Sequence, residues 1–228
     1  GSISAFGANS SSQYVAIVDV DGDGECKISV GVGSYTNIGG NTNAFVTEFV
    51  WTHDGTSAAV MTISAVKSID DSISVTSGTT TNDASLILTF ETSPSENILL
   101  FTENDIVVTN GTLSSFANPG SGSAYTATFT PANNGLTTIN VGSGTYTDAV
   151  GNTNTLSATQ FEWTYDGVKP YFTITAAEVS SGDSSNDATL ALTFSPSETV
   201  TGFDEIGDIT VTNGTLSAFA SSGSVYTA

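Results

Sequence analysis

Asp105 to Phe116 reads DIVVTNGTLSSF, and Asp208 to Phe219 reads DITVTNGTLSAF. Two stretches so alike, 103 residues apart, mark a repeat the size of a whole domain, far longer than a solenoid rung. The opening residues GSISAF carry the pattern one step back, aligning Gly1 with Gly111 at a spacing of 110. FVWTHDG from Phe49 to Gly55 is answered by FEWTYDG from Phe161 to Gly167. TNDASLILTF from Thr81 to Phe90 is answered by SNDATLALTF from Ser185 to Phe194. On this frame residues 1–57 are the second half of one unit, 58–167 a complete unit, and 168–228 the first half of a third. The chain reads as a window on a longer tandem array.

Inside the complete unit the hydrophobic period is two. Leu86, Leu88 and Phe90 alternate with Ser85, Ile87 and Thr89, which predicts a strand with a buried face. Tyr125, Ala127 and Phe129 make a second such run, Thr137, Ile139 and Val141 a third, and Phe161, Trp163 and Tyr165 a last one. Ile106 and Val108 lead into Asn110-Gly111, which predicts a hairpin whose two turn residues take positive φ. With a strand near Met61 to Ala65, about seven short strands are expected and no helix. That is an all-β chain of immunoglobulin-like β-sandwiches, with Leu86, Leu88, Phe90, Ile139, Val141 and Trp163 in the core.

Composition excludes whole classes of function. Three lysines and no arginine stand against 23 acidic residues, a net charge of −20, which repels phosphate backbones and anionic headgroups. No nucleic-acid partner is expected. No apolar run approaches the roughly 18 residues of a membrane span, so no membrane insertion is expected in this segment. Serine and threonine account for 68 of the 228 residues, which hydrates the surface and favours strands over helices. The single Cys26 makes no internal disulfide, so each fold must rest on its core.

Together these motifs resemble the bacterial immunoglobulin-like repeats found in tandem in very large surface adhesins and extracellular matrix proteins. The carrying residues are F-x-x-x-D-I-x-V-T-N-G-T-L-S-x-F from Phe101 (and, with one residue inserted, from Phe203), YTATFTP from Tyr125 to Pro131, and YTDAVGN from Tyr146 to Asn152. The resemblance covers essentially the whole chain and implies spacer domains at a cell surface. The first half-unit departs from it, with YTNIGGN from Tyr35 to Asn41 in place of the third motif. About seven extra residues follow Ala65, and the paired cysteines of vertebrate domains are missing.

Little in the sequence looks catalytic. His53, the one histidine, is replaced by Tyr165 in the next unit, and no G-x-S-x-G or serine–base pair is visible. Cys26 shares strand parity with Ile28 and Val30, which makes it a small core residue before it is a nucleophile. No enzyme is expected. Recurrent acids are the other candidates: Asp54 and Asp166 where units meet, Glu96 and Glu198 in P-S-E loops, and Asp148 before the last strand. They read either as solvated turns or as hard oxygen ligands for Ca²⁺ at domain junctions. Asp19, Asp21 and Asp23 form the D-x-D-x-D-G start of a calcium loop, but Val30 stands where its bidentate glutamate belongs, so a polar turn is the plainer reading. Asn9, Asn110 and Asn213 open N-x-S/T glycosylation sequons, the last two also being turn asparagines.

The expected function is therefore a non-catalytic extracellular stalk, fibre or matrix module at a cell surface, partnered by neighbouring repeats of its own chain and by self-assembly into fibres. The alternative is an adhesive module that binds a glycan or protein directly, which exposed aromatics at one loop end would favour.

Overall fold

The computed structural model describes residues 1–120, 122–204 and 207–228 and divides into two compact units, 1–166 and 167–228. The first unit opens with two antiparallel hairpins. β1 (Ser2–Ala8) pairs with β2 (Tyr14–Asp19), and β3 (Gly24–Val30) pairs with β4 (Thr47–His53). There follow β5 (Val60–Lys67), β6 (Asp70–Val75), β7 (Thr79–Thr81), β8 (Leu86–Ser93), β9 (Ile98–Leu99), β10 (Ile106–Thr109), β11 (Gly111–Ala117), β12 (Ala124–Pro131), β13 (Gly135–Val141), β14 (Thr147–Asp148) and β15 (Phe161–Tyr165). A single 3-10 turn at Glu103–Asp105 is the only helical element among the described residues.

Residues from β5 to β15 build a two-layer sandwich. One layer runs β11-β12-β8-β5-β6, antiparallel throughout. The other runs β10-β13-β15-β7, with β7 parallel to β15. The period-two residues meet between the layers: Leu86, Leu88, Phe90, Ile139, Val141 and Trp163 are all buried. Burying each such side chain contributes about 1.5–3 kcal/mol before entropy is counted.

Two expectations change here. The sandwich has more strands than seven, because the extra residues after Ala65 fold back as β6 on β5, and Thr79–Thr81 crosses to pair beside Tyr165. More telling, Asn110-Gly111 is not a hairpin. β10 pairs with β13 and β11 with β12, so the chain changes layers at this dipeptide. Only Asn110 takes positive φ (52°), whereas the tight hairpin turn needs it at both positions. Glycine follows for space: a Cβ at Gly111 would lie 2.3 Å from Phe129 Cζ and 2.6 Å from the Thr130 carbonyl oxygen.

The second unit forms one four-stranded sheet from β16 (Phe172–Ala176), β17 (Leu192–Pro196), β18 (Ala220–Ser222) and β19 (Val225–Thr227), ordered β16-β17-β19-β18. Its packing repeats that of the first unit. Phe101 meets Phe90, Phe116 and Tyr125 at centroid distances of 5.9, 5.7 and 5.2 Å. Phe203 meets Phe194, Phe219 and Tyr226 at 5.9, 5.8 and 4.9 Å. Backbone detail repeats too, with positive φ at Ala5, Ser115 and Ala218, each one residue before the phenylalanine of its motif. In β1 and β11 this residue sits at a register shift, the mark of a β-bulge.

Candidate functional site

The linker leaving β4 at His53 and entering β5 at Val60 carries one candidate acid, Asp54, and is reached by two others, Glu96 and Asp23. Asp54 Oδ1 accepts the Thr56 N–H at 3.1 Å, so the carboxylate turns its own loop. The Asp54 carbonyl oxygen accepts from Asn152 Nδ2 at 3.0 Å, and Thr155 Oγ1 lies 3.3 Å from Ser57 Oγ. Glu96 reaches the same linker, its Oε1 accepting the Ala59 N–H. Tyr146 closes the set from the core, its hydroxyl donating to the Ala59 carbonyl oxygen at 2.7 Å. Burial pushes the Tyr146 phenol above its ordinary value, the Met61 backbone opposes this and the Glu96 charge adds to it.

Asp148 serves a different loop. Its Oδ1 accepts the N–H groups of Val150, Gly151 and Asn152 at 2.8–2.9 Å, and its Oδ2 accepts from Asn152 Nδ2 at 2.8 Å. Burial alone would raise its pKa, but these four hydrogen bonds outweigh it and hold the carboxyl below 3.8. The first half-unit makes the equivalent turn without a charge, Asn37 Oδ1 accepting the Asn41 N–H at 3.0 Å.

The acids of the β2–β3 turn meet different surroundings. Asp19 Oδ2 accepts the Ser4 hydroxyl at 3.1 Å, Asp21 is exposed, and Asp23 faces the linker. Asp166 donates its N–H to the Thr81 carbonyl oxygen at 3.0 Å. Glu198 lies in the second unit with Oε1 buried and unpartnered there. Among the described residues no three His, Cys, Asp or Glu side chains gather as a metal ion requires. The acids named above, so far as their partners are seen, are engaged one by one in shaping loops.

The sequons divide similarly. Asn110 is fully engaged: Nδ2 donates to the carbonyl oxygens of Asn133 (2.9 Å) and Leu136 (3.4 Å), and Oδ1 accepts the Asn133 N–H (3.2 Å). It pins the β12–β13 loop to the corner where the chain changes layers. Asn213 takes the same positive φ (59°) and is exposed, while Asn9 Nδ2 donates to Gln13 Oε1 at 2.7 Å. Cys26 is half-buried, its thiol 3.6 Å from the Gly24 carbonyl oxygen, whereas its counterpart Thr137 is buried and donates to the Trp163 carbonyl oxygen at 2.8 Å.

Sequence reasoning missed the asparagine that organises the loop before the last strand. Asn154 is buried; Oδ1 accepts the N–H groups of Thr145 and Tyr146, and Nδ2 donates to the carbonyl oxygens of Gly142 and Leu156. Asn43 does the same in the first half-unit, accepting from Tyr35 and donating to Gly31 and Phe45. The signal was present in the repeated G-N-T-N, at Gly40–Asn43 and Gly151–Asn154.

A model of the bacterial Ig-like domain family matches residues 69–165 and, directly after them, residues 166–228. No curated protein and no solved structure matches the chain. No helix among the described residues is long and apolar enough to cross a membrane.

Proposed function

The chain belongs to the bacterial Ig-like domain family, whose domains are non-catalytic structural or surface modules, and on that premise we propose that it is a spacer segment of an extracellular stalk, fibre or matrix. Its partners are the neighbouring repeats of its own chain. The observation that carries this reading is the way the linker is bound: residues 54–59 accept hydrogen bonds from, or donate them to, Asn152, Glu96 and Tyr146, leaving little slack between β4 and β5. A chain that must project a distant tip needs such joints. The high acidic charge keeps neighbouring arrays apart and soluble.

The adhesive alternative draws no support from the complete unit. All nine aromatic residues between positions 58 and 166 are buried or packed against the core, so none is offered to a ligand. Solution scattering on chains carrying one, two and three complete repeats tests the spacer reading. The maximum dimension should grow by the same increment with each repeat; repeats that collapse on one another, with no such growth, would overturn it.

A further inference from the structure

The linker is held on its other side by a single carboxylate. Asp23 ends the β2–β3 turn, immediately before Gly24. Its Oδ1 accepts the Gly55 N–H at 2.6 Å and lies 3.2 Å from His53 Nδ1, while its Oδ2 accepts the Thr56 hydroxyl. Three groups spread over four residues, His53 to Thr56, thus converge on one side chain 30 to 33 residues away in sequence. From the complete unit, Asn152 and Thr155 hold Asp54 and Ser57 of the same stretch. Gly55 and Thr56 are thus bound to the hairpins before them, and Asp54 and Ser57 on either side to the sandwich after them.

The space around the carboxylate is tight. A Cβ on Gly55 would lie 3.1 Å from His53 Cε1 and 3.4 Å from Asp23 Oδ1, a close fit that would need the imidazole to shift by a few tenths of an ångström. Strand register equates Gly24, opposite His53, with Gly135, opposite Tyr165. Asn134 and Val168 are therefore the sequence counterparts of Asp23 and Thr56 in the next repeat. Asparagine carries no carboxylate and valine no hydroxyl, so the Asp23–Thr56 pair has no like counterpart in that alignment.

We propose that Asp23 is the pin of a clasp that fixes the joint between the β1–β4 hairpins and the complete repeat, holding Gly55 and Thr56 against the β2–β3 turn. Charge-assisted hydrogen bonds to one carboxylate are stronger than neutral ones and act here on two neighbouring residues, so the linker has a preferred path where a Gly-containing segment would otherwise wander. The clasp goes beyond the spacer reading and holds equally if the array proves adhesive.

Amide hydrogen exchange in the full 228-residue chain tests it. Asp23→Ala should speed exchange at Gly55 by about tenfold or more, since that amide loses its acceptor. Thr56→Val leaves the carboxylate and the Gly55 N–H in place, lies outside every strand, and should give a smaller rise of about threefold at the same amide. In both variants the amides of β3 and β4 should keep their rates. Unchanged exchange at Gly55 in Asp23→Ala would overturn the clasp. So would a rise shared equally by Gly55 and the whole of β3 and β4, because Asp23 would then be supporting the hairpin and not the joint.

Discussion

Phe161 and Phe49 occupy the same place in the same motif, yet Phe161 is 3% exposed and Phe49 67% exposed. Val141 and Val30 differ in the same way, at 1% and 44%. The strands that carry them are built alike: β13 pairs with β15 and β3 with β4, in matching register across Thr137–Trp163 and Cys26–Trp51. What differs is the opposing layer. In the complete unit β5, β8 and β12 lie across from β13 and β15; residues 1–57 supply two hairpins and no counterpart to β5 or β8. Hairpin geometry and side-chain pattern are thus local properties of a repeat, while a core is a property of both its halves. An isolated pair of strands is marginal in water for this reason.

The largest effect should come from cutting the comparison apart. Residues 58–167 alone should unfold in one cooperative transition, and residues 1–57 alone should show none, as circular dichroism on heating would reveal. A cooperative transition in the shorter piece would mean that its hairpins find a core of their own.

Next in size are the two tryptophans, which share a motif but not an environment. Trp163 is buried, and its Nε1 donates to Thr81 Oγ1 at 3.1 Å. Trp163→Ala should cost the complete unit about 3–5 kcal/mol in denaturant unfolding. Trp51→Ala should leave that transition within about 0.5 kcal/mol of wild type. Comparable losses would show that the two hairpins contribute to the sandwich core.

The smallest effect concerns Asp148 and its neutral counterpart Asn37. Because hydrogen bonding holds the folded Asp148 carboxyl below 3.8, its contribution to stability is present above that value and is lost as pH falls through the depressed one. Asp148→Asn should therefore melt below wild type at pH 7, and the gap should close as pH falls below the ordinary carboxylate range. A gap that stays constant with pH would assign the difference to shape and not to charge.

The fold was largely legible because its evidence is periodic. Alternation at Leu86, Leu88 and Phe90 and the recurrence of W-T-x-D-G needed no tertiary information. Asn110-Gly111 misled because a hairpin turn and a change of layer both want a residue of positive φ followed by a small one. The crowding by Phe129 tells them apart, and Phe129 lies on the neighbouring strand β12 of the same layer, far along the sequence from the dipeptide. The acids read two ways for a related reason. A carboxylate that caps three amides, as Asp148 does, and one that binds a cation have the same sequence signature: an oxygen-rich turn beside glycine and asparagine. Asn154 was overlooked because an asparagine reads as surface until its four partners are seen.

The equivalence of the repeats is open to one direct measurement. Joining residues 58–110 to residues 1–57 places Gly1 after Asn110, where Gly111 normally stands, and leaves Trp51 as the only tryptophan of the hybrid. If the first half-unit lacks nothing but the opposing layer, the hybrid should unfold cooperatively, and Trp51 emission should lie to the blue of its position in residues 1–57 alone. Red-shifted emission with no cooperative transition would contradict the claim that the two halves belong to one interchangeable repeat.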